Sequence, residues 1–334
     1  MQNEKKAYYS FSEIEAKELE WLWKPYIIKG NLNIIVGEGG VGKSYLTTWL
    51  LSSISKGNKI PFSDDNFITG NSILQNAEDD PNATILPRLL SNNADTNKII
   101  FINEEDKILS IQQIERLEAI IIETHPEIII LDPIQAYIGN INMNSANEVR
   151  NALKPLKNLA ERYNCAIVML MHLNKNNGTN KATSRVMGST DFLSTCRSAI
   201  LVVVNPENEE EKLFIPIKTN LMKENEKNSL SFKINDLGQI EWLENKGKIC
   251  ADDILDQNNN FLDKNSYAKG FILGALSRGV IKGTDLEKLA LDNNITLKNY
   301  NVSKALLNKE NVIYKFQSEK TYYWGIKSTD DILE

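Results

Sequence analysis

The chain has 334 residues, 42% hydrophobic and 25% charged, enough for one large and one small domain, each with its own core. Its apolar runs fall short of the ~20 residues a membrane span needs, and its first residues, Met1-Gln2-Asn3-Glu4-Lys5-Lys6, lack the apolar stretch of a secretory signal. Cys165, Cys196 and Cys250 are too far apart for a disulfide framework or a Cys-x-x-Cys zinc site, so a cytoplasmic protein without a membrane partner is expected.

Charge is unevenly spread. Between Asp263 and Lys327 eleven bases face six acids, giving +5 there and −11 for the remainder of a chain whose net charge is −6. A basic module on an acidic core points to a polyanionic partner, although lysine-rich solvated helices produce the same count.

Residues 1–30 read as a lead-in segment. From 31 to 243 short apolar runs alternate with longer amphipathic stretches. Strands are predicted at Leu32–Val36, Ser72–Asn76, Lys98–Ile102, Glu127–Leu131, Ala166–Met171 and Ala199–Val204. The β-branched runs among them suit strands buried on both faces. Helices are predicted at Lys43–Lys56, Pro81–Asn92, Ser110–Thr124 and Ser145–Tyr163. This alternation predicts an α/β layer fold around a mostly parallel sheet. Leu213–Lys218, Leu230–Ile234 and Gln239–Leu243 then read as hairpin strands at one sheet edge. Residues 244–262, polar and aperiodic, read as a linker. In 263–334, helices at Ser266–Arg278, Asp285–Asn293 and Leu297–Asn308 precede two aromatic strands around Ser318-Glu319-Lys320, the order of a winged helix-turn-helix.

Gly37-Glu38-Gly39-Gly40-Val41-Gly42-Lys43-Ser44 matches G-x-x-x-x-G-K-[ST] between a strand and a helix, the context that makes the pattern informative. Glycines let backbone N–H groups curl around a phosphate, and the helix adds its positive N-terminus. Lys43 is expected on the β- and γ-phosphates of ATP and Ser44 on Mg²⁺. Nucleotide contacts are assigned to all eight residues and to Tyr45. Glu38 stands where partition-type ATPases carry a second lysine. Ile128-Ile129-Ile130-Leu131-Asp132 has the Walker B form, with Asp132 holding Mg²⁺.

A carboxylate after Ser72–Asn76, taken as the strand beside the P-loop, is placed to deprotonate the attacking water. Glu78 is preferred for this, and Asp79 is the fallback. Asp80-Pro81 reads as an N-cap followed by proline at the first helical position. His172 ends a strand, where an imidazole can donate to a γ-phosphate, or can simply be a packed histidine.

Trp21-Leu22-Trp23, the P-loop, Ala77-Glu78-Asp79, Leu131-Asp132-Pro133, Met171-His172 and Gly188-Ser189 stand in the order seen in RepA-like hexameric ATPases. The chain thus resembles, over about residues 20–240, relatives of the DnaB-type replicative helicases with a RecA-like core. The resemblance implies a homo-hexameric ring with ATP and Mg²⁺ at its interfaces. It makes Glu78 the catalytic glutamate and His172 the γ-phosphate sensor. Arg197 resembles an arginine finger and Lys218 the lysine of the DnaB-type finger strand, both acting on a neighbouring subunit's site. The loop Leu173–Met187, with Lys175, Lys181 and Arg185, corresponds to the family's single-stranded-DNA loop. The loop Gly139–Asn147 is a second, weaker channel candidate, having no base before Arg150.

The C-terminal module departs from the minimal family pattern. Its third helix, with Lys298, Asn299, Tyr300, Ser303 and Lys304, and a wing with Lys315 and Lys320, would face duplex DNA. The leading expectation is a helicase translocating on single-stranded DNA. The alternative is an ATP-dependent switch (replication initiator, helicase loader or mobile-element regulator) that does not unwind. A recombinase would need a polymerisation module, and a metabolic kinase a phosphoacceptor lid. Neither is evident.

Overall fold

A computed structural model describes residues 8, 10–13, 15–63, 68–102, 113–173, 190–219, 221, 227–319 and 321–327. The chain divides into two units, Met1–Asp252 and Asp253–Glu334.

In the first unit, β1 (Trp21–Trp23) and β2 (Ile27–Ile28) pair as a small antiparallel hairpin. The main strands are β3 (Leu32–Gly37), β4 (Asn71–Asn76), β5 (Ile99–Phe101), β6 (Pro126–Asp132), β7 (Ala166–His172), β8 (Ser198–Asn205), β9 (Asn208–Thr219), β10 (Ser229–Ile234) and β11 (Ile240–Gly247). Among the described residues these form one sheet in the order β11-β10-β9-β8-β3-β7-β6-β4-β5. The pairs from β8 to β5 are parallel, and β9, β10 and β11 add an antiparallel edge. Flanking helices are α1 (Lys43–Lys56), α2 (Leu86–Ser91), α3 (Ile114–Thr124), α4 (Ala146–Tyr163) and α5 (Thr190–Thr195). The result is the expected α/β architecture with a mostly parallel sheet.

Two local expectations change. The predicted helix Pro81–Asn92 opens as a wide turn, Pro81–Ile85, with Ile85 N–H bonded to Asp80 O at 3.1 Å, and becomes α2 only at Leu86. More important, β4 does not lie beside the P-loop strand: β7 and β6 stand between them. Chain order alone cannot show this, because parallel strands joined by crossovers need not be neighbours.

An aromatic cluster anchors the sheet's edge. Trp23 is 1% exposed, lies 5.1 Å from Phe214 and 5.2 Å from both Tyr26 and Trp242, and donates its indole N–H to Pro61 O at 3.1 Å. Truncating such a side chain typically costs ~3–5 kcal/mol. Asn33, fully buried, bonds both the N–H and the carbonyl of Ile28 at 3.0 Å and so fixes β2 to the start of β3.

The second unit contains all but the first two residues of α6 (Ala251–Leu276), with β12 (Ile281–Lys282), α7 (Gly283–Asp292), α8 (Leu297–Lys309), β13 (Ile313–Ser318) and β14 (Thr321–Ile326). The strands form a sheet in the order β12-β14-β13. Residues 244–262, read from sequence as a linker, instead hold the end of β11 and the first half of α6. Asn and Asp weaken a helix by only tenths of a kcal/mol each, and Leu255, 1% exposed, is buried within that half. The two-residue β12, too short to leave a sequence pattern, pairs with Tyr323 and Trp324 of β14. Ala268, Ile272, Leu276, Leu286, Tyr300 and Leu307 supply this unit's core.

Candidate nucleotide site

The sheet register brings the expected site residues to one edge. Gly37 pairs with His172 across β3 and β7, and Asn76 pairs with Asp132 across β4 and β6. All are at the carboxyl ends of parallel strands, where open α/β sheets place ligands.

The phosphate loop leaves β3 at Gly37, where a Cβ would stand 2.4 Å from the carbonyl oxygen of Val202. Only glycine fits that approach. Gly40 and Gly42 have φ of 74° and 100°, a region costly for residues with a Cβ. Helix α1 begins at Lys43 with no side-chain cap, so its first N–H groups face the loop. Tyr45 lies under the Arg88 guanidinium, whose Cζ is 4.2 Å from the ring centre.

Lys43 is 6% exposed and donates to the carbonyls of Gly37 and Glu38 at 3.0 and 2.8 Å. Burial lowers its pKa, opposed by the charges of Asp132, Glu78 and Glu38. Its ammonium also lies 3.4 Å from His172 Nδ1, and His172 Nε2 lies 3.2 Å from Glu78 Oε1. An ammonium can only donate, so Nδ1 accepts and Nε2 carries the proton that goes to Glu78. The chain Lys43–His172–Glu78 therefore selects one imidazole tautomer.

Asp132 is 3% exposed and accepts from Ser44 Oγ at 2.9 Å. Burial pushes its carboxyl up to about 6, with the Ser44 bond opposing and the Glu78 charge adding to the rise. Ser44 and Asp132 together are a pair of hard oxygen donors, the type Mg²⁺ prefers.

Three acids follow β4, and each has a different setting. Asp80 caps the turn after it, accepting from Asn82 and Ala83 N–H at 2.9 and 2.6 Å. Asp79 pairs with Arg88 at 2.9 Å. Glu78 is the one that reaches His172.

Asn76, which the sequence reading passed over, links these groups. Its amide donates to Asp132 Oδ2 at 3.2 Å, and its oxygen accepts the N–H groups of Glu78 and Asp79 at 2.9 and 2.7 Å. Its strand is apolar only at Ile73 and Leu74, so nothing in the local sequence set Asn76 apart. Tyr137 was missed as well. It is 2% exposed, and its phenol is raised by burial and then by the charges of Asp132 and Glu78.

Residues 8–178, just over half of the chain, match the family model of the AAA domain. The chain belongs to the AAA domain family. With its phosphate loop and Walker B carboxylate assembled, this AAA domain is a nucleotide-binding P-loop ATPase. No curated protein matches the chain in sequence. Among solved structures, it is similar to the ATPase domain of G40P, with 13% identity, a TM-score of 0.49 and coverage of 65% of this chain and 86% of that one. It is also similar to the RadB recombinase, with 15% identity, a TM-score of 0.48 and coverage of 66% and 93%.

Two other expected residues of this AAA domain protein, Arg197 and Lys218, lie away from the phosphate loop. Arg197 is exposed and immediately precedes β8, its backbone N–H bonded to Leu32 O at 2.9 Å. Lys218 pairs with Ala199 at the same end of the sheet. That end is opposite the loop, roughly 16 Å away at ~3.3 Å per residue along β3, so neither side chain serves its own chain's nucleotide. Lys218 is also engaged locally, donating to the carbonyls of Leu193 and Ser194 in the last turn of α5 and of Cys196 just after it. Lys175, Lys181, Arg185, Gly188, Ser189 and Lys320 lie outside the described residues.

In the C-terminal unit Lys298 is exposed, but Asn299 is 8% exposed and Tyr300 and Ser303 are fully buried. Asn299 therefore faces inward and presents no surface to DNA. Of the residues that spacing assigned to recognition on α8, Asn299, Tyr300 and Ser303 pack inward while Lys298 stays at the surface. Lys304 lies against the rings of Tyr300 and Trp324.

Proposed function

We propose that this protein is a RecA-like ring ATPase of the RepA/DnaB type, a replicative helicase that translocates on single-stranded DNA. The observation that carries this reading is the Lys43–His172–Glu78 chain, which joins the phosphate loop to the residue just before the basic segment containing Lys175, Lys181 and Arg185. A change at the γ-phosphate then has a direct mechanical route into that segment.

In the proposed reaction, Glu78 takes a proton from a water as the water oxygen attacks the γ-phosphorus. The bond to the β-phosphate oxygen breaks, leaving ADP and phosphate. Lys43, preorganised by the carbonyls of Gly37 and Glu38, neutralises charge on the departing phosphoryl group. Ser44 and Asp132 would hold Mg²⁺, which supplies further neutralisation of the phosphate oxygens when bound. His172, donating from Nε2, orients Glu78 and exchanges that bond for one to the γ-phosphate.

Arg197 and Lys218, at the end of the sheet away from the phosphate loop, are compatible with action on a neighbour's site, which would favour a ring. The order helix, strand, helix, helix, hairpin supports reading the C-terminal unit as a winged helix. If the chain is instead a DNA-binding switch without unwinding activity, this unit is what would select its site.

The test is ATP hydrolysis with and without single-stranded DNA, using Lys43→Ala as blank, together with sedimentation velocity in the presence of ATP. Hexamers, and stimulation lost in Arg197→Ala and in a Lys175/Lys181/Arg185 triple alanine, support the motor. Lys43-dependent hydrolysis that ignores single-stranded DNA leaves an ATPase and removes the translocation reading.

A further inference from the structure

Lys282, Lys304 and Lys315 converge on one open cavity of about 380 Å³ within the C-terminal unit. They come from β12, the middle of α8 and β13, so only the tertiary fold assembles them. Lys315 Nζ stands 3.8 Å from the Tyr322 ring centre, and Lys304 Nζ stands 4.2 Å from that of Tyr300 and 5.4 Å from that of Trp324. Rings hold an ammonium in place without neutralising it.

The opposing charge is small. Among the described residues Glu287 is the one carboxylate lining the cavity, and none of the three lysines is ion-paired. Burial lowers the pKa of Lys304, the Glu287 charge opposes this, and the like charge of Lys315 lowers it further. Three cations gathered beside one anion repel one another unless a further anion joins them. The first turn of α7, Gly283 and Thr284, borders the same cavity and has no side-chain cap, which adds a positive helix end to the three ammonium groups. Tyr322, 49% exposed, lines the cavity too, and a ring there suits a sugar or base beside a phosphate.

We propose that this cavity binds a backbone phosphate of a nucleic-acid strand, with Lys282, Lys304 and Lys315 as its ligands. Over the whole unit Asp253–Glu334 eleven bases balance eleven acids, so the attraction is local to the cavity, and the Tyr322 ring beside the lysines favours a nucleic-acid strand over a single free phosphate. The site lies wholly in the C-terminal unit and does not depend on the ATPase reading.

The test uses the full chain without ATP, so that failure of the motor leaves it unaffected. Binding of labelled single-stranded and duplex oligonucleotides is followed by fluorescence anisotropy between about 50 and 200 mM salt. Lys304→Gln/Lys315→Gln should weaken binding about tenfold and lower the slope of log K against log salt by ~1–2. The charge-matched pair Lys288→Gln/Lys309→Gln should stay near wild type. Should the double variant melt early by circular dichroism, the exposed Lys315→Gln alone should still lower the slope by ~1. Tripolyphosphate, monitored by isothermal calorimetry, distinguishes the source of the phosphate. Loss of tripolyphosphate binding with unchanged DNA affinity would mean a free phosphate compound and overturn the strand assignment. Equal effects from both lysine pairs, or none from either, would reduce the cavity to net charge and overturn the site altogether.

Discussion

Asn76 donates to the Asp132 carboxylate at 3.2 Å while its own oxygen holds the N–H groups of Glu78 and Asp79. One side chain thus sets the spacing between the carboxylate that ends β6 and the turn that carries Glu78. Asn76→Ala should lower kcat ~10–100-fold, the worth of ~1–3 kcal/mol of lost positioning, with KM for ATP nearly unchanged. Asn76→Asp should be worse than alanine, because it sets a second negative charge beside Asp132. Steady-state kinetics decide, and a raised KM with intact kcat would assign the side chain to binding instead.

The contact between His172 and Glu78 predicts non-additive kinetics. Glu78→Gln should lower kcat by ~10²–10⁴, and His172→Ala should lower it by a smaller factor. Groups acting as a unit show coupling above ~0.5 kcal/mol in a double-mutant cycle. Simple addition of the two losses would mean that the 3.2 Å contact has no part in hydrolysis.

Asp132 should make the nucleotide-free protein less stable as pH rises. Its carboxyl is raised to about 6 in the fold, above its unfolded value, so the folded state binds more protons between about pH 4 and 6. Stability from this group is highest below that window and is lost as pH passes through it, by at most about 3 kcal/mol. In a chelating buffer, Asp132→Asn should therefore melt several degrees above wild type at pH 8, with the gap closing towards pH 4. It should also hydrolyse no ATP. Parallel melting curves at every pH would contradict the buried-charge account.

Lys218 and Arg197 share one end of the sheet yet should differ in stability. Lys218 bonds three carbonyls at the C-terminal end of α5, so Lys218→Ala should cost ~1–3 kcal/mol. Arg197→Ala, at an exposed position, should fall within about 0.5 kcal/mol of wild type. Urea unfolding measures both. Similar midpoints would show that the three carbonyl bonds of Lys218 add little to stability, leaving that side chain free for another role.

Much of this protein follows from local chemistry written in its sequence. A glycine loop between a strand and a helix can do little but cradle phosphate, and Asp80-Pro81 forms a cap because its atoms interact within a few residues. The apolar runs became strands for the same reason: their burial pattern repeats over short distances. Sheet order, however, depends on which strands pack side by side. That is why two strands, β7 and β6, came to separate β4 from β3, and why Asn76 gained its role only when its register set it opposite Asp132. Spacing on α8 named Asn299 as a surface residue, but the helix faces are set by what packs against them, and Asn299 turned inward. The same packing gathered Lys282, Lys304 and Lys315 from three elements into one cavity. Long-range juxtaposition of this kind has no local signature, so the tertiary structure alone decided it.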